Sequence, residues 1–194
     1  MPRLENQIAF QAAAAADDIE LIPQSVEWLN YQGHWGLPDQ ATTARQVLDR
    51  IWQALKGDPA GYAGRPPTRL PGDFIHPPTG TLIEYDETQH FSSARLTVLR
   101  LYPADQSLGF DREEYMKLCV RWCRDADGKW KNKEAIGFPG PFGRQRQRAY
   151  YDSLRDLATP AMGFPPLIRV PDPYDNGRAA WKRHRDRIHD ALTA

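Results

Sequence analysis

A predicted β-hairpin over residues 73–87 constrains the fold of this chain more than any other stretch. The segment 73–76 (DFIH) is followed by PPTG at 77–80, which is typical of a turn, and then by TLIEYDE at 81–87. β-Branched and aromatic residues on both sides of a turn predict two antiparallel strands. The rest of the chain must therefore supply the helices and strands that cover this hairpin.

Three acidic side chains fall within the hairpin. Side chains alternate between the two faces of a strand, so Glu84 and Asp86 share one face with Leu82. Asp73 begins the partner strand and can reach them. Carboxylates held close together repel one another unless a cation lies between them, and oxygen ligands of this kind suit Mg²⁺ or Mn²⁺. The alternative is an acidic face that is simply surrounded by water.

Size, charge and cysteine content favour one cytoplasmic domain over residues 1–194. Lys+Arg and Asp+Glu both number 25, so any attraction to nucleic acid must come from local charge. The chain has no apolar run long enough to span a membrane, and its N-terminal alanines lack the basic and apolar regions of a signal peptide. Cys119 and Cys123 have no further ligands in sequence that would complete a zinc site, which favours buried thiols in a reducing compartment.

Apolar periodicity predicts helices on both sides of the hairpin. The expected helices cover residues 4–22, 42–56, 111–124, 144–158 and 176–192, with a short additional one from Ser25 to Leu29. Residues 91–102 fit either a short helix or a strand, and periodicity does not decide between them.

One further strand is predicted at the short apolar run 166–170 (PLIRV), directly after a helix. That spacing is half of a β–α–β crossover and favours a parallel pairing. The expected fold is therefore α/β, with a small mixed sheet flanked by helices. Residues 1–40 would form an N-terminal helical extension, 42–170 the core and 176–194 a C-terminal helix.

These segments resemble the PD-(D/E)XK nuclease superfamily, which has the restriction-endonuclease-like fold. The similarity is greatest to the very-short-patch-repair endonucleases and their small bacterial relatives. In that branch a PDF strand is followed by a strand ending in E-x-D-G-x-x-H, and a helix with Arg and Asp precedes an I-R-V-like strand. The matching residues here are Pro71-Gly72-Asp73-Phe74, Leu82-Ile83-Glu84-Tyr85-Asp86, Gln89-His90-Phe91, the helix residues Arg148, Asp152 and Arg155, and Leu167-Ile168-Arg169-Val170.

Three positions depart from the family pattern. Gly72 stands where the branch has proline, and Glu87 stands where it has glycine. Asp86 stands where the wider superfamily has the lysine of its E-x-K motif, a lysine that the repair branch also lacks.

The resemblance implies a metal-dependent endonuclease that hydrolyses phosphodiester bonds, with DNA favoured over RNA, in a bacterial restriction, repair or defence setting. Asp73 and Asp86 would bind Mg²⁺ or Mn²⁺, and either the Tyr85 carbonyl or the Glu84 carboxylate would complete the metal shell. His90 would be a general acid or base, because histidine titrates near neutral pH. Gln89 would orient the attacking water.

Two further residues are expected to assist. Nucleases of this fold often add an acid from the preceding helix, and Asp49 is the best candidate, with a solvated surface acid as the alternative. Arg95, which follows His90 by five positions, would hold a phosphate oxygen.

A basic segment over residues 128–150 would contact the nucleic acid. Its six cations stand against one acid, a net charge of +5, and aromatic residues are interleaved with them. Such a combination is suited to a phosphate backbone and to unpaired bases, although a solvated surface or a protein partner's acidic face would fit it equally well. The cations are Lys129, Lys131, Lys133, Arg144, Arg146 and Arg148, and the aromatics are Trp130, Phe138, Phe142 and Tyr150.

A second hypothesis from a different functional class is open. The chain could be a degenerate nuclease fold that binds nucleic acid or a partner protein without cutting it. An intact set of mutually repelling acids favours the enzyme, because a binding module has no reason to keep them together.

Overall fold

A four-stranded sheet forms the centre of the protein in the computed structural model, which describes residues 2–24, 26–62 and 64–193. The strands β1 (Ile22–Pro23), β2 (Phe74–His76), β3 (Thr81–Glu87) and β4 (Ile168–Asp172) lie side by side in that order. β1 and β2 are antiparallel, as are β2 and β3, whereas β3 and β4 are parallel. The predicted α/β class with a small mixed sheet is confirmed.

The predicted hairpin is confirmed in its register. Phe74 lies opposite Ile83, and His76 lies opposite Thr81. Leu82 packs into the apolar core on one face of β3, while Ile83 and Tyr85 pack into a second core on the other face. Glu84 and Asp86 therefore leave the sheet on the same side as Leu82, as the alternation of strand side chains requires.

Helices cover both faces of the sheet. α1 and α6 share a core with the face that carries Tyr85, and the other four helices form the core that contains Leu82. No helix in the described part of the chain is long and apolar enough to cross a membrane. The helices are α1 (Pro2–Ala15), α2 (Thr42–Ala54), α3 (Ser93–Leu99), α4 (Arg112–Gly128), α5 (Gly143–Ala161) and α6 (Gly177–Thr193).

The ends of the chain complete the sheet's second core. The Phe10 ring of α1 lies 5.6 Å from Tyr85 and 5.5 Å from Trp181 of α6. The two helices approach so closely that a Cβ added at Gly177 would lie 1.9 Å from the backbone oxygen of Asn6. Glycine at this position therefore permits the contact between α1 and α6, which brings α1 to the edge of the candidate site.

Three sequence predictions about helices need correction. α1 ends at Ala15 instead of residue 22, because Asp18 adopts a left-handed φ of 60° and residues 22–23 join the sheet as β1. α4 continues to Gly128, beyond the expected end at residue 124. Residues 26–29 of the short helix expected from Ser25 to Leu29 contain a turn and not a helix, and Ser25 itself lies outside the described residues.

The undecided segment 91–102 is helical over α3. The Ser92 side chain accepts a hydrogen bond from the Arg95 backbone N–H and caps its N-terminus. The predicted strand after α5 is confirmed as β4, shifted by two residues and parallel to β3.

Candidate functional site

A cavity of about 180 Å³ opens between the start of β2, the middle of β3 and one face of α5. Its lining is mostly charged, which is unusual for a small concavity and indicates a binding or catalytic site. Four of its side chains are acids or imidazole, and three are arginines. They are Asp73, Glu84, His90, Asp152, Arg144, Arg148 and Arg155.

The hairpin places the first two acids against each other. The backbone N–H of Asp73 donates to Oε1 of Glu84 at 3.1 Å. The Asp73 carboxylate accepts from the Tyr85 backbone N–H at 2.8 Å and from the Gln7 amide at 2.7 Å. Asp73 is thus fixed by β3 on one side and by α1 on the other, with its charge next to that of Glu84.

Glu84 sits in an environment that opposes its ionisation. Burial raises the pKa of its carboxyl to about 7, and nearby Asp73 adds to that effect, whereas Arg155 opposes it. The Nε atom of Arg155 lies 3.3 Å from Oε1 of Glu84. One guanidinium therefore does not fully offset the burial of this pair of acids.

Gly72 makes the approach of Glu84 possible. A Cβ at this position would lie 2.6 Å from Oε1 of Glu84 and 3.0 Å from the Gln24 side chain. The Gly72 backbone N–H donates to Oε1 of Gln24 at 3.1 Å. Glycine stands here in place of the proline of the nuclease pattern, and a side chain at this position would displace Glu84.

His90 is held from behind by acids and faces the same cavity. Its Nδ1 lies 2.9 Å from Oδ2 of Asp152 and 3.2 Å from Oδ1 of Asp86. Its Nε2 is buried and has no hydrogen-bond partner among the described residues. Burial alone would raise the pKa of Asp152, but His90 and Arg169 outweigh it and hold the pKa well below its usual range. A buried imidazole nitrogen without a partner, beside a charged cavity, is a candidate contact for a ligand.

Asp86 does not join Asp73 and Glu84 in a shared metal site, which corrects the expected trio. Nη1 of Arg169 donates to both Asp86 oxygens at 2.8 and 3.0 Å, and the Tyr115 hydroxyl donates at 2.8 Å. Asp86 is fully buried, and Arg169 already supplies the positive charge that a cation would supply. Among the described residues, no group of three or more His, Cys, Asp or Glu side chains is arranged to hold a metal ion.

Arg95 belongs to the same buried ion network, so its predicted role as a phosphate ligand is wrong. Its Nη2 donates to Asp156 at 2.6 Å and its Nη1 to the Tyr102 hydroxyl at 2.8 Å. Asp156 also accepts from Nε of Arg169 at 2.7 Å. Arg95 has no exposed surface, and a substrate cannot reach it.

Asp49 and Gln89 also lie outside the cavity. The Asp49 side chain is 59% exposed, and its Oδ1 lies 2.9 Å from Nε2 of His34. Burial lowers the pKa of His34 even though Asp49 opposes the shift. The Gln89 amide donates to Glu87 at 2.7 Å and is buried there. Neither residue is placed to act on a substrate held by His90.

Half of the basic segment reaches the cavity. A groove of about 440 Å³ adjoins it, and the two share Arg144, Gln147 and Arg148. Lys133 and Trp130 line the far part of this groove, with the Lys133 ammonium 4.8 Å from the Trp130 ring centroid. These cations form a continuous path to Asp73 and Glu84, which we call the basic groove.

The other half of the basic segment does not reach the cavity or the basic groove. Lys131 is exposed outside the groove, and Lys129 lines a separate concavity with Glu87 and Asp175. The guanidinium of Arg146 donates to the carbonyls of Leu55, Pro139 and Pro141 and fastens the loop, so it is not a nucleic-acid ligand. Of the interleaved aromatics, Phe138 and Tyr150 are fully buried.

Asp152 and Arg155 line the cavity without having been predicted as site residues, although the sequence places them on the helix before the last strand. With Arg148 they are spaced four and three residues apart on α5, which puts them on one helical face. A polar stripe of that period is the signal that marks them. Tyr31 and Tyr151 also line the cavity, and no pattern in the sequence marks them as site residues.

Comparison with known proteins gives one family. A family model described as "Family of unknown function (DUF7255)" matches residues 50–193. No curated protein and no solved structure matches the chain.

Proposed function

The chain belongs to DUF7255, a family of unknown function, and we propose that it is a metal-dependent nuclease that hydrolyses phosphodiester bonds, with DNA favoured over RNA. One observation carries this proposal. Two adjacent acids, a histidine supported by an acid, and arginines from a basic groove all line the same cavity. These are the groups that phosphodiester hydrolysis requires: a metal-binding pair, a proton carrier and ligands for phosphate.

The acids fit a divalent ion as a pair. Mg²⁺ is commonly bound by one or two carboxylates, several waters and the substrate's phosphate, without a complete protein cage. Asp73 and Glu84 would hold it, and the raised pKa of Glu84 supports a site whose negative charge is not fully compensated by Arg155. Mg²⁺ or Mn²⁺ bound here would supply an activated water and stabilise charge on the phosphate oxygens.

His90 is suited to move the proton. With Nδ1 held at 2.9 Å from Asp152, the imidazole keeps one orientation beside the cavity, and its Nε2 has no hydrogen-bond partner among the described residues. An acid behind a histidine fixes the tautomer in which Nε2 accepts a proton. His90 can therefore take a proton from the attacking water or return one to the leaving oxygen.

The arginines orient the phosphate. Arg148 lies on the α5 wall of the cavity, and Arg144 connects it to the basic groove. Arg155 is instead occupied by Glu84 and by the carbonyls of Pro71 and Tyr151. A guanidinium presents several N–H donors in one plane and suits phosphate oxygens. Arg144 and Arg148 would hold the scissile phosphate near Asp73 and Glu84 while the strand follows the groove.

A binding module without hydrolysis is the second candidate, and one observation favours it. Asp86 has its counterion in Arg169, and Glu84 has a partial one in Arg155. Internal counterions of this kind allow the acids to persist without a metal. Such a protein would bind nucleic acid or an acidic protein partner in the basic groove. A cytoplasmic setting in restriction, repair or defence follows from the nuclease resemblance and belongs to the same proposal.

The experiment is a cleavage assay on circular duplex DNA, circular single-stranded DNA and RNA, each with Mg²⁺, Mn²⁺ or EDTA. We expect cleavage with a metal, none with EDTA, and none by Asp73→Asn. Asp49→Asn is the matched control, because it removes an equivalent charge outside the cavity and should cut normally. Binding without cleavage under every condition would favour the second candidate, and cleavage by Asp73→Asn at the wild-type rate would remove the site assignment.

A further inference from the structure

A second cavity with aromatic walls lies beside the charged one. It has a volume of about 340 Å³ and is lined by Gln32, Trp35, Pro59 and Tyr62, together with a loop glycine. Trp35 is 46% exposed, whereas Trp52 and His34, on which it packs, are only 4% and 2% exposed. An indole left open at the rim of a buried aromatic cluster offers a flat, apolar surface to a ligand.

Trp35 is held in place before any ligand arrives. Its ring centroid lies 4.0 Å from that of His34, 4.9 Å from Trp52 and 5.6 Å from Tyr62. The Trp52 ring is roughly perpendicular to it, at 80°. A side chain already ordered by its neighbours loses little conformational entropy on binding, so stacking on Trp35 would be favourable.

The aromatic cavity and the charged cavity share a wall. The Tyr62 hydroxyl donates to the Tyr151 hydroxyl at 2.6 Å, and Tyr151 lines the charged cavity. The guanidinium carbon of Arg65 lies 5.1 Å from the ring centroids of both Tyr31 and Tyr62, which belong to the charged and the aromatic cavity respectively. A cation thus lies over aromatic rings at the junction, next to the cavity assigned to the phosphate.

We propose that Trp35, Tyr62, Gln32 and Pro59 form a subsite for an unpaired nucleobase of the strand whose phosphate occupies the charged cavity. This inference rests on the proposed function and deepens it, since it makes the substrate single-stranded or locally unpaired nucleic acid. Every base presents a flat π-face, so stacking on an indole needs no sequence. A paired base is covered on both faces by its neighbours and reaches such a surface only after it leaves the duplex.

The test measures binding by fluorescence anisotropy in EDTA, where nothing is cut. The probes are labelled oligothymidylate, an abasic oligonucleotide of the same length, the corresponding duplex, and oligouridylate. We expect oligothymidylate and oligouridylate to bind about tenfold more tightly than the abasic strand, in line with the stacking of a single base on an aromatic side chain.

Trp35→Ala should bring the affinity for oligothymidylate down to that for the abasic strand, and Trp35→Phe should keep most of the difference. Tyr174→Ala is the matched control, because Tyr174 is 58% exposed and lies outside both cavities. An equal affinity of the wild-type protein for the two strands, or an unchanged ratio in Trp35→Ala, would overturn the subsite. Duplex binding as tight as oligothymidylate would do the same.

Two outcomes separate this subsite from the proposed function. If binding depends on the bases and this dependence is lost in Trp35→Ala, but nothing is cut in Mg²⁺ or Mn²⁺, the subsite is supported and the proposed hydrolysis is contradicted. If the protein cuts with a metal but binds the abasic strand as tightly as oligothymidylate, the proposed hydrolysis is supported and the subsite is contradicted.

Discussion

The Nδ1 atom of His90 lies 2.9 Å from Oδ2 of Asp152, a contact that joins the turn after β3 to the middle of α5. The two residues are 62 positions apart in sequence, and the contact between them is buried. The contact fixes the imidazole that lines the cavity with Asp73 and Glu84, and leaves its buried Nε2 without a hydrogen-bond partner among the described residues. The chemistry proposed for the cavity depends on this orientation.

Removing the imidazole tests that orientation. We expect His90→Gln to lower the cleavage rate by about 10²- to 10⁴-fold, the usual contribution of a general acid or base. Binding of the uncut strand in EDTA should change little, because Arg144 and Arg148 remain. Single-turnover rates as a function of pH provide the measurement, and the variant should lose a limb of the pH–rate profile. An unaltered profile would exclude His90 from proton transfer.

The raised pKa of Glu84 gives a prediction about stability. Its folded pKa of about 7 exceeds the ordinary 4.5, so the folded state binds the proton more tightly than the unfolded state. The associated stability is fully present below about pH 4.5 and is lost as the pH rises toward 7. Glu84→Gln should therefore flatten the decline in the free energy of unfolding between these pH values.

Urea denaturation at closely spaced pH values measures that slope in metal-free buffer. Asp49→Asn serves as the control and should retain the wild-type decline, because its carboxylate is largely exposed. Equal slopes for Glu84→Gln and the wild type would show that Glu84 is not the titrating group.

The pairing of Asp86 with Arg169 predicts a structural role for Asp86. Asp86→Ala removes the carboxylate that Nη1 of the buried Arg169 contacts and leaves only Asp156 and Asp152 beside this guanidinium. We expect a loss of about 3–5 kcal/mol in the free energy of unfolding. Asp39→Ala, which removes a fully exposed partner of Arg45, should leave the free energy of unfolding nearly unchanged. Thermal and urea unfolding check both values. A stable Asp86→Ala protein that has lost its affinity for Mn²⁺ would instead restore Asp86 as a metal ligand.

Gly72 predicts a variant that keeps the fold and loses the site. Gly72→Ala would place a Cβ 2.6 Å from the Glu84 carboxylate, which must then move. We expect cleavage to fall at least tenfold while the melting temperature shifts only slightly. Gly128→Ala is the matched control, because a Cβ there meets nothing within 4 Å, and it should cut normally. Full activity in Gly72→Ala would mean that the position of Glu84 is not critical.

The basic groove predicts a salt dependence that differs between cations. Replacing Lys133 or Arg144 with Ala should lower the slope of log affinity against log salt by about 0.7 for each phosphate of a single strand that the variant no longer neutralises. Lys182→Ala on the distant helix α6 should leave the slope unchanged. Titrations at several salt concentrations measure it, and equal slopes for all three variants would place the nucleic acid elsewhere.

Local sequence pattern was sufficient for much of the fold. The hairpin, the parallel β4 and the helices α2 and α5 follow from periodicity and turn residues, which act over a few positions. The end of α1 could not be predicted from local pattern, because the left-handed conformation of Asp18 and the pairing of residues 22–23 with β2 depend on tertiary contacts.

The site was harder to predict than the fold, since the sequence shows which groups are acidic and not which counterion each one meets. Asp86 and Glu84 are equivalent by alternation on β3, but of these two acids Arg169 from the neighbouring strand forms an ion pair with Asp86 and not with Glu84. Likewise Arg95 has the spacing of a phosphate ligand and is instead neutralised by Asp156. In both cases the role of the residue is set by an ion-pair partner that lies far away in sequence.

The most direct test of the central claim is the rate of metal-dependent strand cleavage by the Asp73→Asn/Glu84→Gln double variant, measured beside the wild type and Asp49→Asn in Mn²⁺. We predict that the wild type and Asp49→Asn cut at the same rate and that the double variant does not cut at all while still binding the strand. Cleavage by the double variant at the wild-type rate would contradict the assignment of this cavity as the hydrolytic centre.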